Sequence, residues 1–183
     1  MRILRTVLLG TLVLGVVTPA RAAESQHCSY RLVPVAQAGT VTTAELELIG
    51  CFTTFEQAIE VGSGGSVDIA PTETPATLTD GDLSVSVTAA DILIGTEYLG
   101  TSFGGNSHDY FATTTCTALT TWQVAYVGDA LNDVFSSGKG FGGCDTNRKF
   151  EHSNFGGAVR TCTPNCSDYG TLSNEVSSLR WRV

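Results

Sequence analysis

The chain has 183 residues, with 18 acidic and 10 basic side chains and a formal net charge of −8. Lys and Arg are absent between Leu32 and Gly138, so the surface repels phosphate backbones, which argues against a nucleic-acid partner. The longest apolar run, Thr6 to Val17, falls short of the roughly 20 residues a spanning helix needs.

That run follows a basic start carrying Arg2 and Arg5 and precedes Thr18-Pro19-Ala20-Arg21-Ala22. Small residues at Ala20 and Ala22 fit signal-peptidase cleavage, so residues 1–22 read as a signal peptide and the mature protein as secreted and extracellular, without membrane attachment after cleavage. Cleavage removes Arg2, Arg5 and Arg21 and no acid, which takes the net charge to about −11. All six cysteines, Cys28, Cys51, Cys116, Cys144, Cys162 and Cys166, fall beyond the cut. An even count in an oxidising compartment reads as disulfides, though six cysteines allow fifteen pairings and spacing does not choose among them. Zinc held by Cys144, His152, Cys162 and Cys166 lacks the usual Cys-x2-Cys knuckle.

Residues 23–70 read as a small strand–strand–helix unit. Tyr30 to Val35 and Ala44 to Ile49 are β-favouring runs. Thr53-Thr54-Phe55-Glu56 reads as a capping box from Thr53 to Glu56, and the glycines from Gly62 to Gly65 stop the helix. Cys28 and Cys51 are placed to tie this unit. Residues 71–90, rich in Thr, Pro and Asp, read as a linker with one alternating strand, Leu83 to Val87. From residue 91 to 183 short β-like runs alternate with turns: Asp91–Tyr98, Asn106–Thr113, Trp122–Val127, Val134–Ser136, Arg148–Glu151, Gly157–Thr161 and Ser178–Val183. Such spacing argues for a sandwich or barrel.

Two patterns recur in the same order. Tyr98-Leu99-Gly100-Thr101-Ser102-Phe103-Gly104-Gly105 sets two aromatics five apart with a glycine two beyond the second, and Phe150-Glu151-His152-Ser153-Asn154-Phe155-Gly156-Gly157 repeats it. This is a folded hairpin whose backbone turns through φ > 0, where glycine has no Cβ to clash. Downstream lie Asn132-Asp133-Val134-Phe135-Ser136-Ser137 and Ser173-Asn174-Glu175-Val176-Ser177-Ser178. Each loop concentrates hydroxyl, amide, carboxylate and carbonyl oxygens, the hard ligands that calcium takes in numbers of six to eight.

With both signatures interleaved, the region 91–183 resembles the βγ-crystallin superfamily, particularly its secreted microbial members. The resemblance implies a mainly β fold: a two-motif Greek-key β-sandwich, here with the small N-terminal unit attached. It also implies up to two calcium ions, each clamped by both motifs. Carried over by position, hydroxyl ligands fall at Ser136 and Ser177 and loop carbonyls at Val134 and Glu175. Hairpin carbonyls fall at Leu99 and Glu151, and the leading positions at Asn132, Asp133 and Asn174. Ser137 and Ser178 would brace the hairpins. Ser173 stands where the family has Asn or Asp, which weakens one site.

The stretch from Asn106 to Leu131 is long for this fold and reads as an elaborated loop, with Cys116–Cys144 as a candidate pin and Cys162–Cys166 as a candidate short pair. His27, His108 and His152 share no ligand spacing, and no Gly-x-Ser-x-Gly elbow accompanies the serines. Arg180 and Arg182 point outward together on the last strand, where an acidic partner can meet them. The expected function is therefore non-enzymatic calcium binding that stabilises the domain. The rival expectation is a secreted proteinase inhibitor or small toxin that uses the fold as a scaffold. Beyond calcium, the expected partner is an extracellular protein, either a protease or a cell-surface component.

Overall fold

β-Branched and alternating residues build a long hairpin from β1 (His27–Ala38) and β2 (Val41–Phe52), closed at Gly39 with φ 61°. The computed structural model describes residues 26–70, 72–83 and 91–183. The signal peptide and most of the Leu83–Val87 strand lie outside the described residues. After the hairpin comes α1 (Phe55–Gly62), then seven strands: β3 (Ile92–Tyr98), β4 (Ser107–Ala112), β5 (Thr121–Val124), β6 (Ser137–Gly140), β7 (Thr146–His152), β8 (Gly156–Cys162) and β9 (Ser178–Arg182).

All nine strands form one sheet in the order β6-β3-β4-β1-β2-β5-β9-β7-β8. Two Greek keys can be traced in it. β3, β4 and β6 of the first motif lie together, as do β7, β8 and β9 of the second. Each motif lends a segment to the other: β5 pairs with β9, and Gly138 on β6 bridges to Cys166. The β1–β2 hairpin joins the halves, pairing parallel with β4 on one side and parallel with β5 on the other. It therefore covers two strand edges that would otherwise present unpaired N–H and C=O groups. No helix among the described residues is long and apolar enough to cross a membrane.

The main core lies where the halves face each other. It contains Ile94, Tyr110, Trp122, Val124, Phe135, Leu179 and Trp181, and the hairpin adds Leu32 and Ala44. Trp181, Tyr110 and Leu32 are fully enclosed, and each such side chain is worth roughly 1.5–3 kcal/mol in burial. A second cluster sits on the outside of the first motif. There Phe55, Ile59, Val67, Ile69 and Leu78 cover Leu93, Phe111 and Phe141. Residues 72–83 thus contribute to packing through Leu78.

Several sequence expectations are corrected. The helix is capped by Thr54, whose hydroxyl accepts from Gln57 N at 3.3 Å, and not by Thr53, because Phe55 is already helical. Val134–Ser136 is loop, and the strand is Ser137–Gly140. The stretch from Asn106 to Leu131 is not one elaborated loop: it holds β4, buried throughout, and β5, and its irregular parts are residues 113–120 and 125–131. The three disulfides are Cys28–Cys51, Cys116–Cys144 and Cys162–Cys166, which with the absence of free cysteines point to an oxidising compartment.

Candidate functional site

The two hairpins fold alike. Tyr98 and Phe103 meet edge to face at 5.7 Å, as do Phe150 and Phe155 at 5.4 Å. Gly105 and Gly157 have φ of 78° and 73°, the left-handed backbone expected of them. Ser102 and Phe103 share that region with Asn154 and Phe155, a conformation non-glycine residues adopt only when their surroundings impose it. What imposes it is the final serine of each loop. Ser137 Oγ donates to Gly100 O at 2.6 Å and accepts from Phe103 N at 3.1 Å. Ser178 Oγ donates to His152 O at 2.8 Å and accepts from Phe155 N at 3.1 Å.

The loops are equivalent as well. Asp133 and Asn174 have φ of 60° and 61°, and each crosses to the other loop: Asp133 N donates to Val176 O, and Asn174 N to Phe135 O. Asp and Asn tolerate this backbone better than other side chains do. The crossing puts the start of each loop beside the hairpin of the other motif, so each candidate site draws on both.

The first site is an open cleft of about 520 Å³ lined by Tyr126, Asn132, Asp133, Glu151, His152, Ser153, Glu175 and Ser177. Five sequence-predicted ligands, Asn132, Asp133, Glu151, Glu175 and Ser177, converge here. Ser177 Oγ lies 2.7 Å from Glu151 O. Asn132 Nδ2 donates to Asp133 Oδ2 at 2.6 Å, while Asn132 Oδ1 is buried with no hydrogen-bond partner. A buried acceptor left unmatched costs free energy unless something binds it. Oxygen donors, one unmatched acceptor and the exposed carboxylates of Asp133 and Glu175 suit a hard cation. Among the described residues no three His, Cys, Asp or Glu side chains cluster for a metal, and all six cysteines are in disulfides, which leaves no zinc ligands among them.

The second site is the counterpart built from Leu99, Val134, Ser136 and Asn174. Ser136 Oγ lies 3.3 Å from Asn174 Oδ1, and Ser136 N donates to Tyr98 O at 2.8 Å. The sequence reading missed Asp168, which corresponds to Tyr126: Asn154 N donates to Ala125 O as Ser102 N donates to Ser167 O. Asp168 Oδ1 accepts from Gly170 N at 2.7 Å and from Ser173 Oγ at 3.1 Å, and these bonds hold its carboxyl below the usual range. The Ser173 hydroxyl is thus already engaged where the other loop offers Asn132. Tyr126, His152 and Ser153 also went unpredicted in the first cleft. His152 and Ser153 follow Glu151 directly in the second hairpin, whereas no local spacing marks Tyr126 or Asp168, which the Greek-key crossing brings in.

One other constellation has catalytic residue types. His27 Nδ1 lies 2.8 Å from Ser107 Oγ, which donates to Asp109 Oδ2 at 3.1 Å. These side chains are 7%, 0% and 0% exposed, closed off from any substrate. Burial raises Asp109 to about 7, against the hydrogen bonds from Thr96 and Ser107, and lowers the neighbouring His108 to about 4.

No family model and no curated protein matches the chain. Among solved structures, a βγ-crystallin from an archaeon is 31% identical to it; the match covers 49% of this chain and 96% of that one, with a TM-score of 0.35. A βγ-crystallin domain from Clostridium beijerinckii is 20% identical (49% and 97% covered, TM-score 0.38). One from Flavobacterium johnsoniae is 23% identical (48% and 92% covered, TM-score 0.35). With 31% identity over nearly the whole archaeal domain, and paired hairpins and crossed loops of its own, the chain belongs to the βγ-crystallin superfamily.

Proposed function

We propose that this is a secreted, non-enzymatic protein that binds calcium between its two Greek-key motifs, with the ion stabilising the domain. The observation that carries this reading is the cleft at Asn132, Asp133, Glu151, Glu175 and Ser177, where Asn132 Oδ1 is buried without a partner. Asn132, Asp133 and Ser177 would hold the ion through their side chains, and Glu151 and Glu175 through their carbonyls. Leu99, Val134, Ser136 and Asn174 would hold a second, weaker ion. The ion would supply positive charge that ties the two motifs together.

Few carboxylates take part, so affinity falls in the range of extracellular modules, on the order of 10⁻⁴–10⁻³ M. Burial of the Ser–His–Asp constellation supports a role without catalysis. Calorimetric titration of the oxidised protein tests the reading. It predicts calcium binding in that range, weakened by Asp133→Asn, which removes a charge and tolerates φ 60°. No heat from calcium, or equal binding by the variant, would refute it.

A second reading, a proteinase-inhibitor or toxin scaffold, is favoured by one feature. Residues 113–120 form a loop pinned by Cys116–Cys144, with Leu119 76% exposed. A pull-down against secreted proteases with wild type and Leu119→Asp separates the readings, since only the scaffold requires this tip.

A further inference from the structure

We infer that the outer face of β5-β9-β7-β8 is a docking surface for an acidic segment of another polypeptide, held by Arg148, Arg180 and Arg182. Register sets Arg148 opposite Arg180 and Thr146 opposite Arg182. Lys149, Leu179 and Trp181 are fully buried, so the alternate positions turn away from the core. The row through Arg148 and Arg180 continues to Thr161 on β8 and Gln123 on β5.

Three features mark this face as unfinished. The ion pairs found among the described residues use Arg31 and Lys149, and none supplies a carboxylate to these three arginines. Nε of Arg148 and of Arg182 is buried with no hydrogen-bond partner. Like charges opposite one another on neighbouring strands are unfavourable, and burial together with Arg148 and Arg182 depresses the Arg180 guanidinium from its usual value. Arg180 is nevertheless fixed in place. Its Nε donates to Gln123 Oε1 at 2.8 Å, and its guanidinium lies 4.6 Å from the Phe155 ring centroid.

The other half of the molecule shows what such a face accepts. Lys139 is the counterpart of Arg180: each stands two residues after the last serine of its loop, over the second aromatic of its hairpin. Lys139 is covered by the chain itself, donating to Ala76 O at 2.6 Å and Leu78 O at 3.0 Å, with α1 and Leu78 packed over the same side. On the second face the Phe155 turn lies over Arg180, but among the described residues Arg180 donates to Gln123 and to no overlying carbonyl of the kind Lys139 meets, and Val159 beside it is 47% exposed. A polypeptide segment presenting oxygens therefore fits. Three planar guanidinium groups select carboxylates, which they take in paired hydrogen bonds.

The test is anisotropy of a fluorescein-labelled oligoglutamate peptide with the oxidised full chain, in EDTA so that calcium plays no part. Binding should weaken with salt and fall at least tenfold in Arg148→Gln/Arg182→Gln. Thr161→Glu, at an exposed position beside Arg148, should produce the same loss if the double variant does not fold. Arg160→Gln, which lies in register with Lys149, should leave binding unchanged. Absence of peptide binding, equal binding by Thr161→Glu, or preference for an acidic polysaccharide such as polyguluronate would overturn the inference.

Discussion

Glu97 and Lys149 occupy the same position in the two motifs, one residue before the leading aromatic, and they meet as an ion pair fully closed from solvent. Tyr169 OH donates to the other carboxylate oxygen of Glu97, and the Lys149 ammonium lies 5.5 Å from the Trp181 ring centroid. Gly138 permits this arrangement, because a Cβ there would collide with the Tyr169 hydroxyl. Burial raises the Glu97 carboxyl and lowers the Lys149 ammonium, each opposed by the partner's charge. Lys149→Met therefore strands a buried carboxylate and is expected to cost about 3–5 kcal/mol in urea unfolding. Glu97→Leu/Lys149→Met should cost clearly less than the single change. If the double variant is the worse of the two, the pair is not governed by desolvation.

The serine braces give a more local prediction. Ser137→Ala and Ser178→Ala each leave a hairpin carbonyl and an amide N–H without their partner. Each should lower stability by about 1–3 kcal/mol, the cost of unsatisfied buried polar groups. Urea melts measure this. Unchanged midpoints would mean that the hairpins hold their left-handed residues without the serines.

Acid titration should show two opposed contributions. Asp109 has a folded value raised from 3.8 to about 7, so the folded state holds the extra proton and stability falls as pH rises across that window. His108 is lowered from 6.5 to about 4, so the unfolded state holds more protons there and stability rises with pH between those values. The two largely cancel between pH 4 and 6.5. Asp109→Asn should unmask a rise in stability from pH 4 to 6.5, and His108→Gln should unmask a fall from pH 4 to 7. Flat profiles in both variants would contradict these environments.

Much of the second half was legible because its signals are local. A left-handed hairpin needs its glycine at Gly105 and Gly157, and a bracing loop needs its serine pair, so both motifs are written into short runs of sequence. The position of β1–β2 was not legible. Parallel pairing with β4 and β5 spans 80 residues in register, as with His27 opposite Ser107, and leaves no nearby trace. Val134–Ser136 has strand-like residues, yet its backbone bonds go to scattered partners: Phe135 O accepts from Asn174 N, Ser136 N donates to Tyr98 O and Ser136 O accepts from Tyr169 N. Asp168 and the Glu97–Lys149 pair were invisible for the same reason, since each matters only after the motifs interlock.

The hairpin yields a prediction of its own. A chain beginning at Asp91 loses Leu32 and Ala44 from the core and uncovers the edges of β4 and β5. It should self-associate or precipitate, as judged by gel filtration. A soluble, monomeric product would show that the second half stands without the β1–β2 hairpin.

The central claim is that calcium joins the two motifs through the cleft at Asn132, Asp133 and Ser177. The most direct measurement is a thermal melt of the oxidised protein in EDTA and in millimolar calcium. At ten times its dissociation constant one ion should add roughly 1.4 kcal/mol, seen as a midpoint raised by a few degrees, and Ser177→Arg should abolish the shift. The same midpoint in both buffers would contradict the claim and leave the loops as structural turns.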